Sequence, residues 1–230
     1  KLGEQTVSFK ATTVYGDFNG TLKVAVNNEP YIDGQLTEYA KMKKHTVDGI
    51  GDIYVAQGEN GLYIAAKVDD DDLWTDGEAW HSGDMGQNGL NDDFRIFVAS
   101  ADDVENRITI CLSAANLLRV YEAGTTLTDS KLPSKNMVYS KMLDDYSYRV
   151  TTKGLTNVDE GGASNGFDLE LYISYNDLGI DPEDMFLCFD YNNVTNKTGT
   201  KIATDHYFSK TNQANSELDI ANYFSLAELI

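Results

Sequence analysis

The chain has 230 residues, 41% of them hydrophobic, enough for a packed core in one large β domain or two small ones. Its 37 carboxylates against 18 basic residues leave a formal net charge of −19, a field that repels nucleic acid and anionic lipid and leaves neutral ligands, cationic ligands or a metal ion. No apolar run approaches the roughly 18 residues of a membrane helix, and two cysteines exclude a disulfide framework.

In chain order, period-two alternation predicts strands at VSFKATTV (7–14), TLKVAV (21–26), DIYVAQ (52–57), GLYIAAKV (61–68) and DFRIFVAS (93–100). It continues at NRITICL (106–112), NMVYSK (136–141), YSYRVTT (146–152), GFDLELYISY (166–175) and MFLCFDYN (185–192). Helical periodicity is confined to short turns near LTEYAKMKK (36–44) and YNDLGI (175–180), and Pro182 marks a turn between strands. The polar segment GLTNVDEGGASNG (154–166) reads as a mobile hairpin connection. In GFDLELYISY, Phe167, Leu169, Leu171 and Ile173 share one side while Asp168, Glu170 and Tyr172 share the other, as in one leaf of a sandwich. Cys111 and Cys188 lie within apolar runs, where free thiols behave as small buried hydrophobes. The fold class is therefore all-β, an antiparallel two-sheet, jelly-roll-like sandwich with long loops on one side. No low-complexity linker divides the chain, so one domain over 1–230 is expected. A start at Lys1, without methionine or signal sequence, suggests a piece excised from a longer polypeptide.

Between two predicted strands stands DDDDLWTDGEAWHSGDMGQNGLNDD (69–93), which holds both tryptophans. A connection this long is usually functional or disordered, and large aromatics argue against disorder. Sugars stack their C–H faces on flat rings and pair their hydroxyls with Asp, Asn, Gln, Arg or Lys. Trp74 and Trp80, with Asp76, Glu78, His81, Gln87 and Asn88 around them and Tyr207 as an opposing wall, supply those groups. The alternative is that both indoles cap the core and the aspartates are solvated. Crowded carboxylates at Asp69, Asp71, Asp72, Asp92 and Asp93 raise a second expectation, a structural calcium ion at the loop base. Nothing singles out a catalytic carboxylate pair among 37 acids, and nucleophile-elbow, HExxH and phosphate-loop motifs are missing. No haem is expected: His81 and Met85 share the loop, but His45, His206, Met42, Met137, Met142 and Met185 suggest no axial pocket.

Five pieces in order carry a family resemblance. YIDGQLTEYA (31–40) is similar to an IDG–x–LDE–W opening, GLYIAAKVDDDDLW to an LYV–x–V–x–D strand with its ligand-side loop, and NDDFRIFVAS (91–100) to a DSVEIFID strand. The long stretch GFDLELYISYNDLGIDPEDMFLCFDYNN matches a GY–x–E–x–x–IP–x–x–L then GFD pattern, and ANYFSLAEL resembles an FGxLEL close. Together they resemble family 9 carbohydrate-binding modules and the wider DOMON-like β-sandwich group. The resemblance implies non-catalytic binding of a polysaccharide or oligosaccharide, a β-1,4-glucan or xylan, with a starch-type α-glucan equally compatible. It also implies tethering to other domains of an extracellular or bacterial cell-surface protein. The alternatives are a calcium-dependent adhesion sandwich and, third, a glycoside hydrolase. Two departures stand out. The family's paired indoles come from separate loops, whereas here both lie in one, with Tyr191, Tyr207 and Phe208 near the second position. Its arginine segment is replaced by KTGTKIATDHYF (197–208), where Lys201 is the nearest cation.

Overall fold

The computed structural model describes residues 3–14, 16–26, 29–74, 92–122, 143–155, 162–197, 200–214 and 216–230. The chain divides into two units, Lys1–Tyr31 and Ile32–Ile230. The first is an antiparallel hairpin of β1 (Gly3–Thr13) and β2 (Gly16–Val26). Its register places Val7 opposite Leu22, Phe9 opposite Gly20 and Ala11 opposite Phe18, so one face gathers apolar positions. Phe9 and Phe18 on that face are exposed.

The second unit runs through β3 (Lys44–Val47), β4 (Gly51–Gln57), β5 (Gly61–Val68), β6 (Asp72–Leu73), β7 (Asp93–Ser100), β8 (Asp103–Ser113) and β9 (Leu117–Glu122). It continues through β10 (Tyr146–Thr152), β11 (Gly162–Ala163), β12 (Phe167–Ser174), β13 (Met185–Lys197), β14 (Thr200–Phe208) and β15 (Phe224–Ser225). One sheet has the order β10-β12-β5-β4-β3; the other has β14-β13-β7-β8-β9, with β15 also pairing β13. Every pairing in both is antiparallel. Ile53, Val55, Leu62, Ile64, Leu169 and Leu171 of the first sheet join Phe94, Ile96, Ile110, Leu112, Leu187 and Phe189 of the second in a single buried cluster. The two sheets thus meet face to face over a dry core, the sandwich that the alternation predicts.

Helices are short, at the two expected places, Glu38–Lys41 and Tyr175–Leu178 (capped by the Ser174 side chain), and also at Pro182–Asp184, Ser216–Leu218, Ile220–Asn222 and Leu226–Leu229. Both cysteines are free and buried. The predicted strand NMVYSK (136–141) lies outside the described residues. One expectation needs correction. The polar side of β12 was expected to face solvent, yet Glu170 is wholly buried. The segment from Ile32 to Lys41 covers that face: Tyr39 is buried with its ring 6.0 Å from Tyr54, and Glu170 Oε2 accepts the backbone N–H groups of Asp33 and Gly34.

Candidate functional site

The outer face of the six-stranded sheet carries a cluster of largely buried charge. On β7 the core side chains Phe94, Ile96 and Val98 alternate with Asp93, Arg95 and Phe97. On β13, Leu187, Phe189 and Tyr191 alternate with Cys188, Asp190 and Asn192. Register then lines up two rows across three strands, Arg95–Asp190–Tyr207 and Asp93–Asn192–Asp205. The alternation that fills the core therefore places three carboxylates, a guanidinium and a phenol side by side.

Arg95 grips Asp93 bidentately, with Nε and Nη2 each donating over 3.1 Å. Its Nη1 donates to Asp190 Oδ2 at 3.4 Å and lies 3.6 Å from Asp205 Oδ1. Tyr207 O–H donates to Asp205 Oδ2 at 3.4 Å. Arg95, Asp93 and Asp190 are nearly shut off from solvent, whereas the Asp205 side chain keeps 38% of its exposure and Tyr207 is half-buried. Asp190 Oδ1 is buried and has no hydrogen-bond partner among the described residues. Burial pushes the Asp190 carboxyl up to about 8; Arg95 pulls it down, while Asp93, Asp205 and Glu217 add to the rise. Burial opposes charge on Arg95, but Asp93 and Asp190 more than offset it and hold the guanidinium well above its ordinary range. Tyr207 is raised to about 12 by burial, then by Asp205 and Asp190. Perturbed, partly desolvated groups clustered beside an open aromatic are the kind of arrangement found at functional sites.

Other sequence-predicted residues fall elsewhere. Trp74 follows β6 and is half-buried; its backbone N–H donates to Asp92 Oδ2, and the Asp92 backbone N–H donates back to the Trp74 carbonyl at 2.8 Å. Asp76, Glu78, Trp80, His81, Gln87 and Asn88 lie outside the described residues. The five carboxylates expected at a calcium ion do not converge. Asp69 pairs with Lys67 at 3.3 Å, Asp93 with Arg95, and the buried Asp92 also accepts the Val194 N–H. Asp71 is exposed and Asp72 half-buried. Among the described residues no three His, Cys, Asp or Glu side chains gather closely enough to hold a metal ion. Each buried carboxylate has instead found an N–H or guanidinium partner, as burial requires.

Asp70, the member of the aspartate run not predicted as a ligand, is the one turned inward. Its Oδ2 accepts from Tyr191 O–H at 2.6 Å and from Asn193 Nδ2 at 2.9 Å, and its Oδ1 accepts the Asp72 N–H. A polar groove of about 640 Å³ opens beside it, lined by Lys67, Asp69, Asp71, Lys153, Asn165 and Asn193 among others. Arg95, Asp190 and Asp205 escaped the sequence reading. The signal was present as polar residues two apart within otherwise apolar strands: D-F-R in β7, D-Y-N in β13 and D-H-Y in β14.

The fold is similar to that of a family 9 carbohydrate-binding module. Two solved structures of a family 9 module from Caldicellulosiruptor kristjanssonii superpose on the chain. The complex with cellotriose gives a TM-score of 0.52 at 16% identity, covering 85% of this chain and 87% of that one. The complex with glucose gives 0.53 at 16% identity, covering 85% and 89%. No family model matches the sequence, and no curated protein matches it.

Proposed function

We propose that the chain is a non-catalytic sugar-binding module that takes a glucan-type oligosaccharide on the outer face of the six-stranded sheet. The observation that carries this reading is the Asp93–Arg95–Asp190–Asp205 cluster beside Tyr207, in a fold whose neighbours were solved with cellotriose and glucose. Tyr207 offers a ring for a sugar C–H face, and Asp205 offers carboxylate oxygens to hydroxyl donors at its edge. Arg95, held by three acids, orients them. Trp74 is retained as a second candidate aromatic, while Trp80, Asp76, Glu78, His81, Gln87 and Asn88 lie outside the described residues. Cello-oligosaccharides are the first ligands to try, with xylan and starch as the other arms.

The same reading places the chain outside the cell, at a bacterial surface or in a secreted protein, tethered to other domains. Affinity electrophoresis in gels containing cellulose derivatives, xylan or starch tests the function directly. Retardation by at least one polysaccharide, without release of reducing sugar, is the expected result. Turnover that vanishes on replacing a single carboxylate would replace the binding module with a glycosidase.

A further inference from the structure

Segment 32–41 lies as a strap over the outer face of the five-stranded sheet, and it belongs to no strand of either sheet. Its described backbone reaches the sheet through two hydrogen bonds: the N–H groups of Asp33 and Gly34 both donate to Glu170 Oε2, the first over 3.0 Å. Its other described backbone bonds stay local, from Gln35 N–H to Asp33 Oδ1, Ala40 N–H to the Thr37 carbonyl and Met42 N–H to the Tyr39 carbonyl. The second attachment is Tyr39, buried with its ring against Tyr54. The strap therefore hangs on one carboxyl and one ring. That carboxyl is poorly matched to a charge. Glu170 is wholly buried, and neither its Oε1 nor the Tyr39 hydroxyl has a hydrogen-bond partner among the described residues. No described cation forms an ion pair with it. Arg149, its register partner on β10, and Lys41 at the end of the strap are exposed; Lys67 on β5 pairs with Asp69, and Lys153 pairs with Asp168 two positions along β12. Tyr63 and Tyr172, paired with each other beside it, add no positive charge. The strap itself brings two more acids. Burial raises the Glu170 carboxyl to about 7; the Gly34 and Asp33 N–H groups pull it down, while the Asp33 and Glu38 carboxylates add to the rise. Asp92 differs in this respect, because its N–H donors, Trp74 and Val194, come from different elements and no single segment can lift away.

We propose that the strap is a proton-operated cover, closed over the sheet while Glu170 holds its proton and released when Glu170 ionises. Release hydrates the carboxylate, separates it from Asp33 and Glu38, breaks no strand ladder and uncovers the sheet face at Tyr54. In the open form Glu170 returns to the ordinary carboxylate range, about 4.3. Between that value and the higher closed-state one, the closed form binds more protons, so opening is favoured progressively as pH rises and levels off above it. Amide hydrogen exchange at Asp33 and Gly34, corrected for the intrinsic rate at each pH, reads the opening equilibrium. That equilibrium should rise at least about tenfold from pH 5 to pH 8, the effect of one unit of pKa difference. Both amides should exchange faster than those of Leu169 and Leu171 at every pH, since opening is local. In Glu170→Gln, which keeps the acceptor and cannot ionise, the rise should disappear. Carbon-13 NMR titration of the Glu170 carboxyl in the unsubstituted chain is the independent reading, with a midpoint expected above the ordinary range. An opening equilibrium that ignores pH, the same rise in Glu170→Gln, or an ordinary carboxylate midpoint overturns the proposal.

Discussion

Tyr207 and Trp74 separate two roles that the sequence assigns to aromatics alike. Tyr207 sits on the outer face of β14 opposite Asp190, away from the core cluster, and is half-buried. Tyr207→Ala should therefore weaken sugar binding about tenfold, the contribution of a modest interface anchor, with little change in melting temperature. Trp74 is half-buried, with its indole Nε1 shut off from solvent, beside Asp92, itself buried where β7 begins. Trp74→Ala should lower both the melting temperature and the affinity. Sugar titration and thermal melts on the same two proteins check this, and a Tyr207→Ala protein that melts early but binds normally would remove the tyrosine from the site. At this scale the sequence was a partial guide. Tyr207 was legible as a candidate because aromatic residues in a polar context suit sugars. Asp92 is expected as a metal ligand from the local run of acids, yet it accepts N–H groups from Trp74 and from Val194, 102 positions away, which nothing local reveals. Arg95, Asp190 and Asp205 become neighbours only through strand register, which the sequence constrains by parity and does not state.

Alternation locates strands to the residue where an apolar inner face repeats every second position: β5, β7 and β10 begin and end where it predicts. Missed were β3, β9 and β14, whose apolar alternation is weaker or shorter and whose strand state depends on pairing with β4, β8 and β13. The opening segment was legible as a motif, but its purpose was not. Asp33 and Gly34 form a latch whose acceptor, Glu170, lies on an interior strand of a sheet. Burial raises Glu170 to about 7 against the pull of the two N–H donors, and its Oε1 and the Tyr39 hydroxyl are buried without partners among the described residues. Glu170→Gln keeps an acceptor for both N–H groups, so the latch should be retained. Glu170→Ala should strip the latch and cost about 1–3 kcal/mol, the penalty of buried groups left unmet. Amide hydrogen exchange at Asp33 and Gly34 reads the difference; equal protection in both variants would mean that the latch lies elsewhere. Gly166 is a second element-scale constraint. It has φ of +78°, and a Cβ there would run into the Val68 carbonyl oxygen at the start of β12. Gly166→Ala should destabilise by at least about 1–2 kcal/mol in a denaturant melt, from the left-handed backbone alone.

Across the whole molecule, a net charge of −19 and a set of buried carboxyls act in the same direction. Burial pushes Asp92 up to about 9, with the Val194 and Trp74 N–H groups pulling it back; Asp190 stands at about 8 and Glu170 at about 7. An acid whose folded value exceeds its unfolded one holds its proton longer in the native state. Between the two values the native state binds more protons than the unfolded state, so the stability of the fold falls as pH rises. Self-repulsion among the acids that remain ionised adds to the same slope. The melting temperature should therefore be highest in mild acid, decline from about pH 5 to about pH 9, and flatten once the last of the three groups has ionised. Salt discriminates between the two contributions. Screening acts over about 10 Å at 0.1 M and weakens repulsion between exposed charges, but it reaches buried carboxyls poorly. Added salt should raise the melting temperature most at high pH and leave a residual pH slope behind. Asp92→Asn, which cannot ionise and keeps one acceptor for the two N–H groups, should reduce that residual slope at the alkaline end. A salt-independent profile would deny the role of net charge, and an unchanged slope in Asp92→Asn would show that Asp92 is ionised in the native state across the whole range.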